Sequence, residues 1–220
     1  MNKKTILLSV FLFLFLTSFS QKKVPRVKKT IRGEFQLPRA LSNKAFTKVF
    51  SGVFNSGISM NFGFDKKYNI GGYYCYTQYQ IFPKFFDDPH SIHTNNTAGL
   101  KFTYDKVLPK GIFSPYVAAG FNWIKYSRIK CDSLKPFDTE VNAINIGAGL
   151  TYNFFIDDEW TGAGFTLGYN FTNHVFNPDA VCLQEFFNFS ESERSGYFQN
   201  IYFGFSLYFD LAREPNTSPD

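Results

Sequence analysis

At 220 residues, with a formal charge of +5 and a pI near 9.0, the chain has the length of one domain or two small ones. Aromatic residues make up 20% against 19% charged, with 29 Phe and 13 Tyr, which excludes a disordered or highly solvated chain. Mean hydropathy is -0.19, no further long apolar run follows position 20, the glycines have no triplet period and there are three cysteines, so a helical membrane protein, a collagen and a disulfide-dense scaffold fall away.

Residues 1–20 carry Lys3 and Lys4, an apolar core from Ile6 to Leu16, and the small polar stretch 17–20. That order is the pattern of a secretory signal peptide. The core is roughly half the length that crosses a bilayer as a helix, so cleavage before Gln21 is expected rather than a permanent anchor. No cysteine follows the core, which disfavours a lipoprotein. Removal of Lys3 and Lys4 lowers the formal charge from +5 to +3. Residues 21–32 then hold Lys22, Lys23, Arg26, Lys28, Lys29 and Arg32 with no acid, and read as a basic periplasmic leader. Such a leader either keeps the nascent chain solvated or is drawn to anionic lipid or an acidic partner. It has no interleaved aromatics, so nucleic acid is not expected as a partner.

From Phe50 onward apolar side chains alternate with small or polar ones at period two, which is the signature of strands. In 143–154 one face is Ile144, Ile146, Ala148, Leu150, Tyr152 and Phe154, and the other is Ala143, Asn145, Gly147, Gly149, Thr151 and Asn153. The same split runs through 162–172 and 200–210, and more weakly through 55–64, 98–105 and 113–123. Segment 68–82 is a further strand, with a bulge expected at Tyr73-Tyr74, where the alternation blurs.

A soluble sandwich also alternates, so the solvent on each face has to be decided. The polar face is Gly, Asn, Thr and Ser with few Lys or Glu, which suits a crowded barrel interior rather than a wet surface. The apolar face ends in Tyr104, Trp123, Tyr152 with Phe154, and Tyr169 with Phe171, as an interfacial girdle does. Strands that face lipid must close on themselves, since an open edge in hydrocarbon leaves backbone groups unsatisfied. The connections alternate short (65–67, 106–111, 155–160) and long (83–96, 128–140, 173–195), the rhythm of short periplasmic turns and long external loops. Seven strands are visible from Phe50; an even count calls for an eighth, placed at 30–41, where Pro38 fits an end or an edge. A first external loop falls near 42–49, with a short helix over 42–50 as the alternative. The expected fold class is all-β: a closed antiparallel transmembrane up-and-down β-barrel of eight strands spanning 33–211, with a polar periplasmic tail at 212–220.

On these strands, and on the Ser-Phe-Ser-Gln junction at 18–21, the chain resembles the small eight-stranded outer-membrane β-barrels, of Bacteroidota type. The resemblance covers 30–211 and rests on architecture, with no functional motif. It implies an outer-membrane location with both termini periplasmic and outer-membrane lipid as a partner. One departure is the end of the chain, where Phe209 is followed by Asp210-Leu211 and a polar tail instead of closing on an aromatic residue.

An eight-stranded barrel is filled by its own side chains, so a diffusive porin is not expected. Lys101, Asp105 and Asp210 point inward and are expected to pair within a lumen network of Asn and Tyr, since unpaired buried charge is costly. For an enzyme at the membrane rim, the candidates are His90, His93 and His174, all assigned to loops or an outer strand end, with Asp87 and Asp88 beside the first two. No His-Glu-x-x-His or comparable ligand spacing is present, so no catalytic residue, metal or cofactor is assigned. Cys131 and Cys182 fall in neighbouring long loops of an oxidising compartment and are a candidate disulfide, leaving Cys75 as a packed free thiol. Ser133, in Asp132-Ser133-Leu134, resembles an O-glycosylation acceptor of Bacteroidota. The loop aromatics Phe85, Phe86, Phe186, Phe187 and Phe189 either pack on each other or meet a partner. The leading reading is a non-enzymatic barrel serving as a structural or interaction subunit of a cell-envelope assembly for secretion, uptake or barrel insertion. The alternatives are a stand-alone surface barrel binding an external ligand through its loops, and a membrane-rim enzyme.

Overall fold

The computed structural model describes residues 29–65, 67–82, 92–130, 136–157, 161–178 and 188–211. Along these the elements are β1 (Lys29–Ala40), α1 (Lys44–Val49), β2 (Phe50–Gly63), β3 (Tyr68–Ile81), β4 (Ile92–Tyr104), β5 (Lys106–Leu108), β6 (Gly111–Lys130), β7 (Pro136–Asp157), β8 (Thr161–Val175), α2 (Glu191–Arg194) and β9 (Tyr197–Asp210). Every neighbouring pair is antiparallel, in the order β4-β3-β2-β1-β9-β8-β7-β6, and a β4–β6 ladder closes the ring. The wall is a closed eight-stranded barrel. The three residues of β5 form a small hairpin with β6 in the turn after β4. Among the described residues no helix is long and apolar enough to cross a membrane.

The seam is β1 against β9, from Thr30↔Asp210 to Ala40↔Asn200. Lys29 to Arg32, expected in the basic leader, are the first residues of β1. Thr30, Arg32, Glu34 and Gln36 share the lumen-facing parity, whereas Phe35 and Leu37 are exposed outside. The β1–β2 ladder stops at Gln36↔Asn55. Pro38 has no N–H to donate onward, and β2 carries a bulge between Gly52 and Phe54 just there. The bulge expected at Tyr73-Tyr74 is absent: β3 pairs without a register shift against β4, with Tyr73 inside and Tyr74 outside. Two aromatic residues in a row blur the hydropathy pattern without disturbing the pleat.

Outside, the wall is apolar on all sides: Ile58, Met60, Phe62, Leu100, Val117, Phe121, Ile144, Ile146, Phe165, Phe203 and Phe205 are all exposed large hydrophobics. A soluble monomer does not leave such a continuous belt in water. Inside, the buried set is polar, including Asn55, Asn61, Asn69, Asn95, Asn122, Asn145, Asn153 and Asn200. The two ends differ. One holds the short turns and both ends of the β1–β9 seam strands, Lys29 and Asp210. The other, the mouth, holds α1, α2 and the longer connections. There β6 and β7 stay paired to Lys130↔Pro136, so the stretch read as a long loop over 128–140 is mostly ladder. β4 likewise begins at Ile92, inside the expected 83–96 loop.

Candidate functional site: a filled lumen and a plugged mouth

The lumen is filled in tiers. At the end carrying the short turns, Arg32 Nη2 donates to Asp105 Oδ1 at 2.6 Å, and Ser114 Oγ donates to the same oxygen at 2.8 Å. The Arg32 and Asp105 side chains are 1% and 0% exposed, so both charges are out of water and each depends on the other for compensation. The guanidinium also sits 5.5 Å from the Tyr208 ring centre, and the Tyr208 hydroxyl donates to Asp210 Oδ2 at 3.4 Å.

One tier further in, Lys101 forms an ion pair with Glu34, and its ammonium lies 4.0 Å from the Tyr116 ring centre. Gln36 Nε2 donates to Glu34 Oε2 at 3.3 Å and to Thr166 Oγ1 at 3.2 Å. Tyr116 lies along the lumen wall over two neighbouring glycines, Gly149 paired with it on β7 and Gly168 beyond on β8: a Cβ on either would stand 2.6 Å from its hydroxyl oxygen. A cavity of about 40 Å³ remains beside Glu34, Tyr73, Cys75, Lys101, Tyr116 and Tyr202, room for a few waters and no more. Cys75 is a free thiol there, with Asn55 Nδ2 2.8 Å from its sulfur and 2.6 Å from Thr77 Oγ1. Above it the Tyr79 hydroxyl donates to Asn200 Oδ1 at 2.6 Å and Asn145 Nδ2 donates to Thr172 Oγ1 at 3.0 Å.

At the mouth the chemistry turns apolar. The stretch 42–50, read first as loop and alternatively as helix, is α1, and it folds into the barrel instead of away from it. Ala45, Phe46 and Val49 are each fully buried. Phe46 stacks on Phe50 at 4.6 Å and meets Phe198 at 4.6 Å, His93 at 5.0 Å, Tyr79 at 5.2 Å and Phe176 at 5.3 Å edge to face. Asn43 anchors the plug from a left-handed backbone, φ 58°. Its Oδ1 accepts the Phe46 N–H at 3.1 Å, and its Nδ2 donates to the carbonyls of Phe176, Arg194 and Gly196 at 3.1 to 3.3 Å. Lys48 closes the tie by an ion pair with Glu193 on α2, where a capping box with Ser190 also holds the carboxylate. The Lys48 ammonium, followed by the Ser190 backbone N–H, holds the Glu193 carboxyl down from 4.5 to about 2.

Lys101, Asp105 and Asp210 share the lumen-facing parity of their strands; Lys101 pairs with Glu34, Asp105 with Arg32, and Asp210 accepts from Tyr208. In the sequence Arg32 continues the basic run, and Glu34 lies in a strand too short of hydrophobics to stand out. Period-two parity through Thr30, Arg32, Glu34 and Gln36 was the available signal. His93, expected in a loop, is buried inside β4 among the plug aromatics. His174 sits near the outer end of β8, its Nε2 3.1 Å from the Tyr126 hydroxyl oxygen. Phe189, one of the loop aromatics expected either to pack together or to meet a partner, is buried in the plug cluster. Phe85, Phe86, Asp87, Asp88, His90, Cys131, Ser133, Cys182, Phe186 and Phe187 lie outside the described residues, as does the segment read as a signal peptide. Among the described residues no group of three His, Cys, Asp or Glu is placed to hold a metal ion.

Neither a known protein family nor a curated protein matches this sequence. Solved structures do match in shape. Neisserial surface protein A (NspA) matches at a TM-score of 0.50 and 12% identity, covering 83% of this chain and 97% of that one. Ail, the attachment invasion locus protein of Yersinia pestis, solved with the heparin analogue sucrose octasulfate, matches at 0.49 and 8%, covering 85% and 100%. The outer-membrane protease OmpT of Escherichia coli matches at 0.42 and 6%, covering 88% and 100%. At such identities the likeness is one of architecture: the chain has the eight-stranded outer-membrane barrel fold.

Proposed function

We propose that this chain is an integral outer-membrane barrel, closed to diffusion, which works as a non-enzymatic structural or interaction subunit of a larger cell-envelope assembly. Residues 1–20 direct export, the termini face the periplasm and the mouth faces outward. The Bacteroidota-type origin rests on the 18–21 junction and the Phe- and Asn-rich strands. The observation that carries the reading is the doubly closed lumen: ion pairs and Tyr116 fill the middle, and Phe46 with its aromatic neighbours seals the mouth. A barrel that passes nothing through its axis has its loops and its outer wall left for function. The test is extraction of C-terminally tagged protein in mild detergent, with native mass measurement and a heat-modifiability gel. Stoichiometric co-purification of other envelope proteins with a heat-shifted band supports a subunit. A shifted band with nothing attached sinks that role and leaves a solitary surface barrel that binds through its loops.

A further inference from the structure

The outer wall is not evenly filled. Where the β1–β2 ladder ends at Gln36↔Asn55 and β2 bulges, Phe54 leans toward β3, its ring 5.5 Å from that of Tyr76, and away from Leu37. A groove of about 340 Å³ opens there between Phe35, Leu37, Phe54, Phe203 and Phe205. It lies at the lower end of the roughly 300–1,000 Å³ of small-ligand sites. Its walls are side chains 40% to 67% exposed, so nothing in the chain's described residues covers it.

The same outward row of β1 continues Phe35, Leu37, Arg39. Arg39 is exposed, sits across the seam from Ile201 and is the next outward residue toward the mouth. An apolar slot with a cation beyond it on the same outward row suits an acyl chain joined to an anionic head group. Guanidinium matches phosphate oxygens with paired N–H donors. We infer that this groove binds one phosphate-bearing acyl lipid, its chain lying between Leu37, Phe54 and Phe203 and its head group held by Arg39. The inference rests on the outer-membrane reading.

The test uses the full barrel in mild detergent, titrated with phosphatidylglycerol or with phosphatidylcholine and read by native mass spectrometry. One phosphatidylglycerol is expected to stay bound where phosphatidylcholine is lost. Arg39→Gln should weaken retention of the anionic lipid about tenfold, the worth of one charge-assisted contact. Leu37→Trp, and independently Phe205→Trp, fill the slot while keeping the face apolar, and should remove the bound lipid. A heat-shifted band checks that each variant is folded. Equal retention of both lipids, unchanged by any variant, overturns the site. Loss in Arg39→Gln alone also overturns it, since that is surface charge without a slot. A dimer dissolved by Leu37→Trp, with no lipid bound, makes a second copy the occupant and equally overturns it. Failure of the wild-type protein to float with membranes would instead sink the outer-membrane reading itself.

Discussion

Arg32 donates to Asp105 across the lumen at 2.6 Å, and in doing so joins the first strand to the turn that follows β4. The two residues lie far apart around a ring whose backbone hydrogen bonds join only neighbouring strands, so the side chains supply the tie across it. Removing one partner leaves a buried charge with its desolvation cost unrepaid. Asp105→Ala is expected to lower the folding stability by about 3–5 kcal/mol. Arg32→Met combined with Asp105→Leu should recover most of that loss. Urea-dependent refolding into detergent micelles or liposomes measures both; equal loss in the single and double variants would refute the pairing.

Gly168→Val tests the fit of Tyr116 into the glycine wall. A Cβ at this position would stand 2.6 Å from the Tyr116 hydroxyl oxygen, and any larger side chain displaces the ring. Overpacking of this kind costs about 1–3 kcal/mol. Tyr116→Ala in the same chain should restore folding yield, which a clash of the new side chain with the strand backbone would not allow.

The Lys48–Glu193 tie makes the mouth acid-sensitive in a defined direction. A carboxyl depressed in the folded state stabilises that state above its ordinary value of 4.5, and the contribution fades as pH falls toward about 2. The carboxyl carbon of Glu193, followed by NMR in micelles, should titrate near 2 in the native protein and return toward 4.5 in Lys48→Met. A normal midpoint in the native chain would show that the tie does not form.

The two closures predict how the barrel conducts. In planar bilayers the wild-type protein should be silent. Phe46→Ala, or Asn43→Ala with its loss of about 0.5–2 kcal/mol of helix capping, should loosen the mouth yet stay silent, because the Glu34–Lys101 tier lies beneath. Only a variant that also truncates Tyr116 and Lys101 should show steps of current. Conduction by Phe46→Ala alone would place the sole barrier at the mouth.

The barrel wall was legible because a surface with lipid on one side and packed Asn, Gly and Thr on the other writes period two into each strand. Ile144 to Phe154 and Phe203 to Phe209 show it without ambiguity. The start of β1 was hidden by charge, since Lys29 and Arg32 continue a basic run although Arg32 is a lumen residue. α1 was legible only as an alternative, and its destination not at all: six residues carry no record of what they will cover, and Phe46 gains its role from Phe198, Phe176 and His93, far away in the chain. The tall β6–β7 ladder was missed because it rises past the apolar belt, where outward side chains such as Glu140 and Asn142 no longer need to be greasy.

The β1–β9 seam has a consequence for how the chain is made. Its last strand completes its first, so a chain still under synthesis, or cut short at either end, carries two raw β edges with their hydrogen-bonding groups unmet. Closure waits for Asp210 to reach Thr30, the longest loop the molecule has to draw shut, and contacts of such separation are the slow ones. Until then every outward Phe faces solvent, and the chain has to be sheltered until its final strand arrives.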